Sequence, residues 1–192
     1  MSAESLRASA TAELEHWPAP DDCADSLRHT LLAFLGSAPR GCLREHVPGH
    51  ITASALLLDE SARHVVLTLH PRLGRWVQLG GHCEESDDTI VEAALREARE
   101  ESGIADLRID PVLLSAHTHP ITCSLGVPTR HLDLRFLVTA PDGTPVVCSD
   151  ESVDLRWWPV DELPPDAERD GITRLIELAR RRSRSGYRRP EW

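Results

Sequence analysis

Three glutamates, Glu97, Glu100 and Glu101, fall within five residues of the stretch Arg96-Glu97-Ala98-Arg99-Glu100-Glu101-Ser102-Gly103-Ile104. On an α-helix, at about 100° per residue, they share an arc of roughly 100°. Val91, Ala94, Leu95, Ala98 and Ser102 make an apolar, small-residue stripe beside that arc. Arg96 precedes Glu100 by four positions, the spacing of a helical ion pair. Two readings are open. One is a charged outer face held by such pairs. The other is a cation site, because the acids stand near the helix C-terminus, where the macrodipole disfavours negative charge, and border the buried stripe. Ligands that are all oxygen suit a hard ion such as Mg²⁺ or Mn²⁺.

The surrounding pattern must position that helix. Leu6, Ala10, Leu14 and Trp17 recur at helical spacing, and Pro18-Ala19-Pro20-Asp21-Asp22 breaks the run and supplies an N-cap aspartate. A second helix follows, with Leu27, Leu31, Leu32, Phe34 and Leu35 on its apolar side. From His50 the pattern turns to β. Residues 51–59 and 64–70 flank the turn Glu60-Ser61-Ala62-Arg63 as a hairpin, and Trp76-Val77-Gln78-Leu79 is a short strand ending on Gly80-Gly81. The carboxylate helix spans about 89–102, with Gly103 as its terminator. Strands are expected at 106–117, 130–139 and 153–160, and a last helix over about 167–182. This order is α+β, or a three-layer sandwich, rather than a doubly wound sheet. It divides the chain into an N-terminal helical extension (1–43), a main domain (44–182) and a basic, flexible tail (183–192).

Composition bounds the function. The net charge of −10 repels a phosphate backbone and argues against a nucleic-acid polymer as partner. All 21 basic residues are arginine, which excludes a lysine nucleophile or a P-loop lysine. No apolar run reaches the ~20 residues of a membrane span, and the N-terminus does not read as a signal peptide. The five cysteines are scattered without a CxxC pair and read as reduced thiols. A cytoplasmic protein is expected.

Gly80-Gly81-His82-Cys83-Glu84, followed by Glu92-Ala93-Ala94-Leu95 and Arg96 to Ile104, resembles the Nudix box of the Nudix hydrolases. The second half fits throughout, with Ala98 at an aliphatic position. The first half departs from the pattern: Arg96 follows Gly81 by 15 positions, one more than the family has, and the box glutamate becomes Asp88. The hairpin and Trp76–Gly81 before the box, and Val153-Asp154-Leu155-Arg156-Trp157-Trp158-Pro159-Val160 after it, are also similar to the family. His117, His119 and residues 131–136 resemble a bacterial subgroup.

The resemblance implies a Nudix fold, an α/β/α sandwich with a mixed central sheet. It also implies divalent-metal-dependent cleavage of a diphosphate linkage in a small phosphorylated molecule, with Mg²⁺ or Mn²⁺ as cofactor. By that match Glu97, Glu100 and Glu101 are metal ligands, the Gly80 carbonyl adds an oxygen, and Arg96 orients the glutamates. Glu84 and Asp88 are outer-shell candidates. The general base is either a box glutamate such as Glu100 or a loop acid, for which Glu151 is the candidate; a plain loop acid is the other reading of Glu151.

Arg135 could bind phosphate or pair with Asp133, and Trp76 could stack on a base or sit in the core. His117 is a candidate substrate contact, and His82, His117, His119 and His131 are open to two readings, a zinc site or hydrogen-bonded strand-end rings. A homodimer is compatible with the family. The rival reading is a catalytically weak Nudix domain that binds a nucleotide or sugar phosphate as a sensor.

Overall fold

The computed structural model describes residues 3–122, 126–148 and 152–185. Strand β1 (His50–Asp59) is buried at all ten positions. It runs parallel to β7 (Pro128–Ala140) over ten paired residues, from His50 opposite His131 to Asp59 opposite Ala140. Its other edge pairs antiparallel with β2 (His64–His70) at one end and β4 (Leu79–His82) at the other. A strand flanked on both edges and covered on both faces reads as a continuous run rather than an alternating one.

The remaining strands complete a mixed, eight-stranded sheet. β3 (Arg75–Val77) and β8 (Asp154–Pro159) pair with β2, and β5 (Arg108–Ile109) and β6 (Ser115–Thr122) pair with β7. On one face, Ile51, Ala53, Leu134 and Phe136 pack with Ile90, Ala93 and Ala94 of α3 (Ile90–Ser102). The same cluster takes in Leu6 and Leu14 of α1 (Ala3–His16) and Leu31 and Leu35 of α2 (Asp22–Ser37). On the other face, Leu56, Leu58 and Leu67 pack with Ile172, Leu175 and Ile176 of α4 (Arg169–Ser185). Helices on both faces make the α/β/α sandwich.

The N-terminal helices are therefore a packed part of one layer. Asp21 caps α2 as its sequence predicts, accepting from the Ala24 N–H at 2.9 Å. Ser9 of α1 accepts a hydrogen bond from the Ile90 N–H at the start of α3.

Three expected elements differ in the structure. The expected strand 76–79 is two strands, because the chain leaves β2 at Val77 and joins β1 from Leu79, with Gln78 between them. The expected strand 106–117 is broken: Asp110-Pro111 interrupts it, leaving Arg108–Ile109 on one side and the start of β6 at Ser115 on the other. A proline has no N–H to give a ladder. β6 runs on to Thr122 through Pro120, which is tolerated because, among the described residues, β6 pairs only with β7. Finally, α4 continues through Ser183 and Ser185, positions assigned above to the tail, and residues 186–192 lie outside the described residues.

Candidate functional site

Arg96, midway along α3, is the hub of a polar network. Its Nε donates to Asp87 Oδ1 at 2.9 Å and its Nη2 to Asp87 Oδ2 at 3.1 Å. Nη1 reaches Glu97 Oε1 at 3.0 Å and Glu100 Oε2 at 2.8 Å, and Nη2 also reaches the His82 carbonyl at 2.9 Å. One guanidinium thus ties together a loop acid, two helix acids and the end of β4. Burial pulls the Arg96 pKa down, but Asp87, Glu97 and Glu100 outweigh it and raise it overall.

Local sequence fixes both ends of this helix. Thr89 caps α3 in a reciprocal box with Glu92: the Glu92 N–H donates to Thr89 Oγ1, and the Thr89 N–H to Glu92 Oε2. Gly103 closes the helix in the left-handed conformation, with φ of 69°. Ile90, Ala93, Ala94, Ala98 and Ser102 are buried, while Val91 and Leu95 are only half-buried. Glu97 lies inside that buried stripe, 9 % exposed, and Glu100 lies outside it.

The two glycines make room for the acids. A Cβ on Gly81 would sit 2.5 Å from Glu97 Oε2, so the missing side chain is the space the carboxylate fills. Gly80 has φ of 144°, and its N–H donates to Glu101 Oε2 at 3.2 Å. Helix α3 therefore presents Glu97 and Glu101 against the Gly80-Gly81 strand end, with Glu100 held beside them by Arg96. The donor set is all oxygen, in a space bounded by glycine rather than by apolar side chains. These residues fit a hard divalent cation.

The loop before the helix departs from expectation. Asp88 is exposed, and it is Asp87 that is buried against Arg96. Asp87 also accepts from the Glu84 N–H at 2.8 Å, while its own N–H donates to the Glu84 carbonyl. The Glu84 side chain is exposed and accepts from Ser86. Sequence reading missed Asp87; the only signal was its place beside Asp88 in a loop one residue too long. Glu151 lies outside the described residues.

A second polar group lies on the α4-side face of the sheet. His50, Thr52 and Ser54 of β1 stand opposite His131, Asp133 and Arg135 of β7, and His117 and His119 of β6 stand opposite Asp133 and His131. Arg135 pairs with Asp133 at 2.6 Å, both almost fully buried. Thr52 Oγ1 and Ser54 Oγ donate to Asp133 Oδ1 at 3.0 and 2.7 Å. Burial alone would raise the Asp133 pKa, but Arg135 and the two hydroxyls hold it below the usual range.

His50, His82 and His131 cluster there, with ring centroids 5.0 to 5.1 Å apart. Burial pushes His82 down to about 3 and His131 down to about 4, and it lowers His50, His117 and His119 too. His50 was missed by sequence reading, because only the β1–β7 register brings it to His131. Trp76 is 8 % exposed and packs edge-on against Trp158 in the α4-side core. The structure does not bring it to the carboxylates.

A carboxylate-bearing helix seated on a glycine strand end, within an α/β/α sandwich, is the Nudix arrangement of fold and site. The sequence profile of the NUDIX domain matches residues 48–178, and the chain belongs to the Nudix family. It is 31 % identical over 141 residues to the NAD-capped RNA hydrolase NudC of Stutzerimonas stutzeri (strain A1501), a match over 71 % of this chain and 47 % of that protein. The chain thus spans about half the length of that relative. In fold it is similar to the E. coli dihydroneopterin triphosphate pyrophosphohydrolase, with a TM-score of 0.54 and 20 % identity over 66 % of this chain and 92 % of that one. It is also similar to a UDP-X diphosphatase, with a TM-score of 0.53 and 15 % identity over 94 % of this chain and 96 % of that one.

Proposed function

We propose that the chain is a divalent-metal-dependent pyrophosphohydrolase. Its substrate is a nucleoside diphosphate linked to another moiety, or a related small phosphorylated metabolite. The observation that carries this reading is the Arg96 hub, which gathers Asp87, Glu97 and Glu100 beside the strand end that Glu101 grips.

Glu97, Glu100 and Glu101 would hold Mg²⁺ or Mn²⁺, with the Gly80 carbonyl as a further oxygen. When bound, the cation neutralises phosphate oxygens that the acidic helix would otherwise repel and lowers the pKa of water at the site. Arg96 fixes the orientation of Glu97 and Glu100 before substrate arrives, so little reorganisation is needed during reaction. Glu100, exposed at the rim, is the candidate to take the proton from the attacking water. Asp87 acts through Arg96 as a positioning residue. The net charge of −10 favours a small substrate over a polymer.

The test is a turnover screen with Mg²⁺ and with Mn²⁺ over NAD, dinucleoside polyphosphates, nucleotide sugars, ADP-ribose and modified nucleoside triphosphates. NAD is included because of the NAD-capped RNA hydrolase among the relatives. Turnover should vanish in chelator, return with the metal, and fall on the order of 100-fold in Glu100→Gln with an unchanged melting temperature. Ligand-induced stabilisation without product would establish a binding module instead. Equal rates in Glu100→Gln would overturn the assignment of the carboxylates.

A further inference from the structure

We propose that His50, His82 and His131 form a second metal site, for a borderline transition-metal cation of the Zn²⁺ class, distinct from the carboxylate site. Each ring comes from a different strand, β1, β4 and β7, and one ligand atom from each lies within 4.8 Å of the other two. A tetrahedral Zn²⁺ held at about 2.0–2.1 Å by each nitrogen asks for nitrogens about 3.3 Å apart, a modest inward turn of the rings. Imidazole nitrogens favour Zn²⁺ and its neighbours over Mg²⁺, which prefers oxygen. The two sites therefore select different ions.

Two observations point to a ligand rather than to a packed cluster of rings. First, His50 Nε2 and His131 Nε2 are buried with no hydrogen-bond partner, and His50 is only 1 % exposed. Such nitrogens are costly to bury unless something takes up their lone pairs. Second, His50 Nδ1 lies 3.3 Å from the His46 carbonyl, which can only accept. The proton is therefore on Nδ1, and Nε2 carries the lone pair. A ligating histidine is oriented in this way by a carbonyl behind it. The set supplies three protein nitrogens, which leaves a fourth position for water or an anion, the arrangement of an open zinc site rather than a closed structural one.

The two sites share one residue. The His82 ring belongs to the histidine group, and its carbonyl accepts from Arg96 Nη2. The surrounding charges are mixed: Arg44 and Arg72 act on His82, Arg130, Arg135, Asp133 and Glu168 act on His119, and Asp133 acts on His131. A cation there meets two acids among these neighbours, Asp133, already engaged by Arg135, and Glu168.

The experiment is a titration of the metal-free full chain with Co²⁺, read by its ligand-field absorption, and with Zn²⁺ by calorimetry. One equivalent should bind with the intense bands of a tetrahedral nitrogen site. His131→Gln should weaken binding by at least about 100-fold. The triple variant Glu97→Gln, Glu100→Gln, Glu101→Gln should keep the histidine-site equivalent. His50→Gln serves as a second probe, and circular dichroism and melting confirm that each variant folds. Undiminished binding in folded His131→Gln, or loss of the bands in the glutamate variant, would overturn the proposal. So would the absence of any tetrahedral band in the unmodified protein.

Discussion

Asp87 and Arg96 face each other in a two-pronged pair, Nε to Oδ1 at 2.9 Å and Nη2 to Oδ2 at 3.1 Å, with only 5 % of the aspartate side chain exposed. The neighbouring Asp88 is exposed. Asp87→Asn should cost about 1–3 kcal/mol, because the buried carboxylate and the half-buried Arg96 guanidinium lose their two-pronged pairing. Asp88→Asn should change stability by less than about 0.5 kcal/mol. Urea unfolding of the two variants checks the order, and turnover on a substrate found by the screen should follow it. The reverse order would show that the longer loop is held by Asp88.

The two strand-end glycines should fail differently. At Gly81 the obstructing atoms belong to the Glu97 carboxylate, the movable end of a side chain. Gly81→Ala should therefore fold and lose activity as Glu97 is pushed aside. At Gly80 a Cβ would meet Ser54 Cα at 2.6 Å and the Ala53 carbonyl at 2.7 Å, in a backbone conformation with φ of 144°. Gly80→Ala should cost at least about 1–3 kcal/mol of stability. Thermal melts beside turnover rates separate the two outcomes.

Asp133 and Arg135 offer a double-mutant cycle. Removing the aspartate alone strands a buried guanidinium and should cost about 3–5 kcal/mol, while Asp133→Leu with Arg135→Met should cost less than Asp133→Leu alone. The pH dependence has a defined sign. Asp133 is held below its unfolded value, so its contribution is present above about pH 4 and is lost as pH falls through the folded pKa. Acid unfolding followed by circular dichroism should lose this component in Asp133→Leu.

The thiols should split by burial. Cys23 and Cys148 are exposed, and Cys42 and Cys83 are buried. Burial pushes the Cys42 thiol up to about 12 and raises Cys83 well above the ordinary value. A thiol reagent near pH 8 should label Cys23 and Cys148 in the native protein and reach Cys42 and Cys83 only on unfolding. An unfolded thiol ionises near pH 8.5, so the stability these two contribute is full below that value and declines as pH rises above it, for Cys42 until about 12. Native labelling of Cys42, read by mass spectrometry, would contradict this burial.

Local chemistry made much of the fold legible. The Asp21 cap, the Gly103 terminator and the 51–70 hairpin are short-range features that the chain states outright. The helix bearing Glu97, Glu100 and Glu101 was legible because its apolar stripe and its acids are offset at helical spacing. What was hidden depends on pairing between distant strands or on one turn. The break at Gln78 follows from which neighbour each half pairs with. His50 meets His131 only through a parallel register across 81 positions. Asp87 rather than Asp88 reaches Arg96 because the Glu84–Asp87 turn aims it there. Trp76 offered a flat ring to any reading, but Trp158 and the α4 face enclose it.

The N-terminal helices carry a practical consequence for anyone cutting the chain. The family match begins at residue 48, yet Leu6, Leu14, Leu31 and Leu35 share a cluster with Ile51, Ala53, Leu134 and Phe136. A fragment started at the family boundary would bare that apolar sheet surface to water and should clump rather than dissolve. The smallest piece that melts as one cooperative body is therefore larger than the piece that the family profile matches.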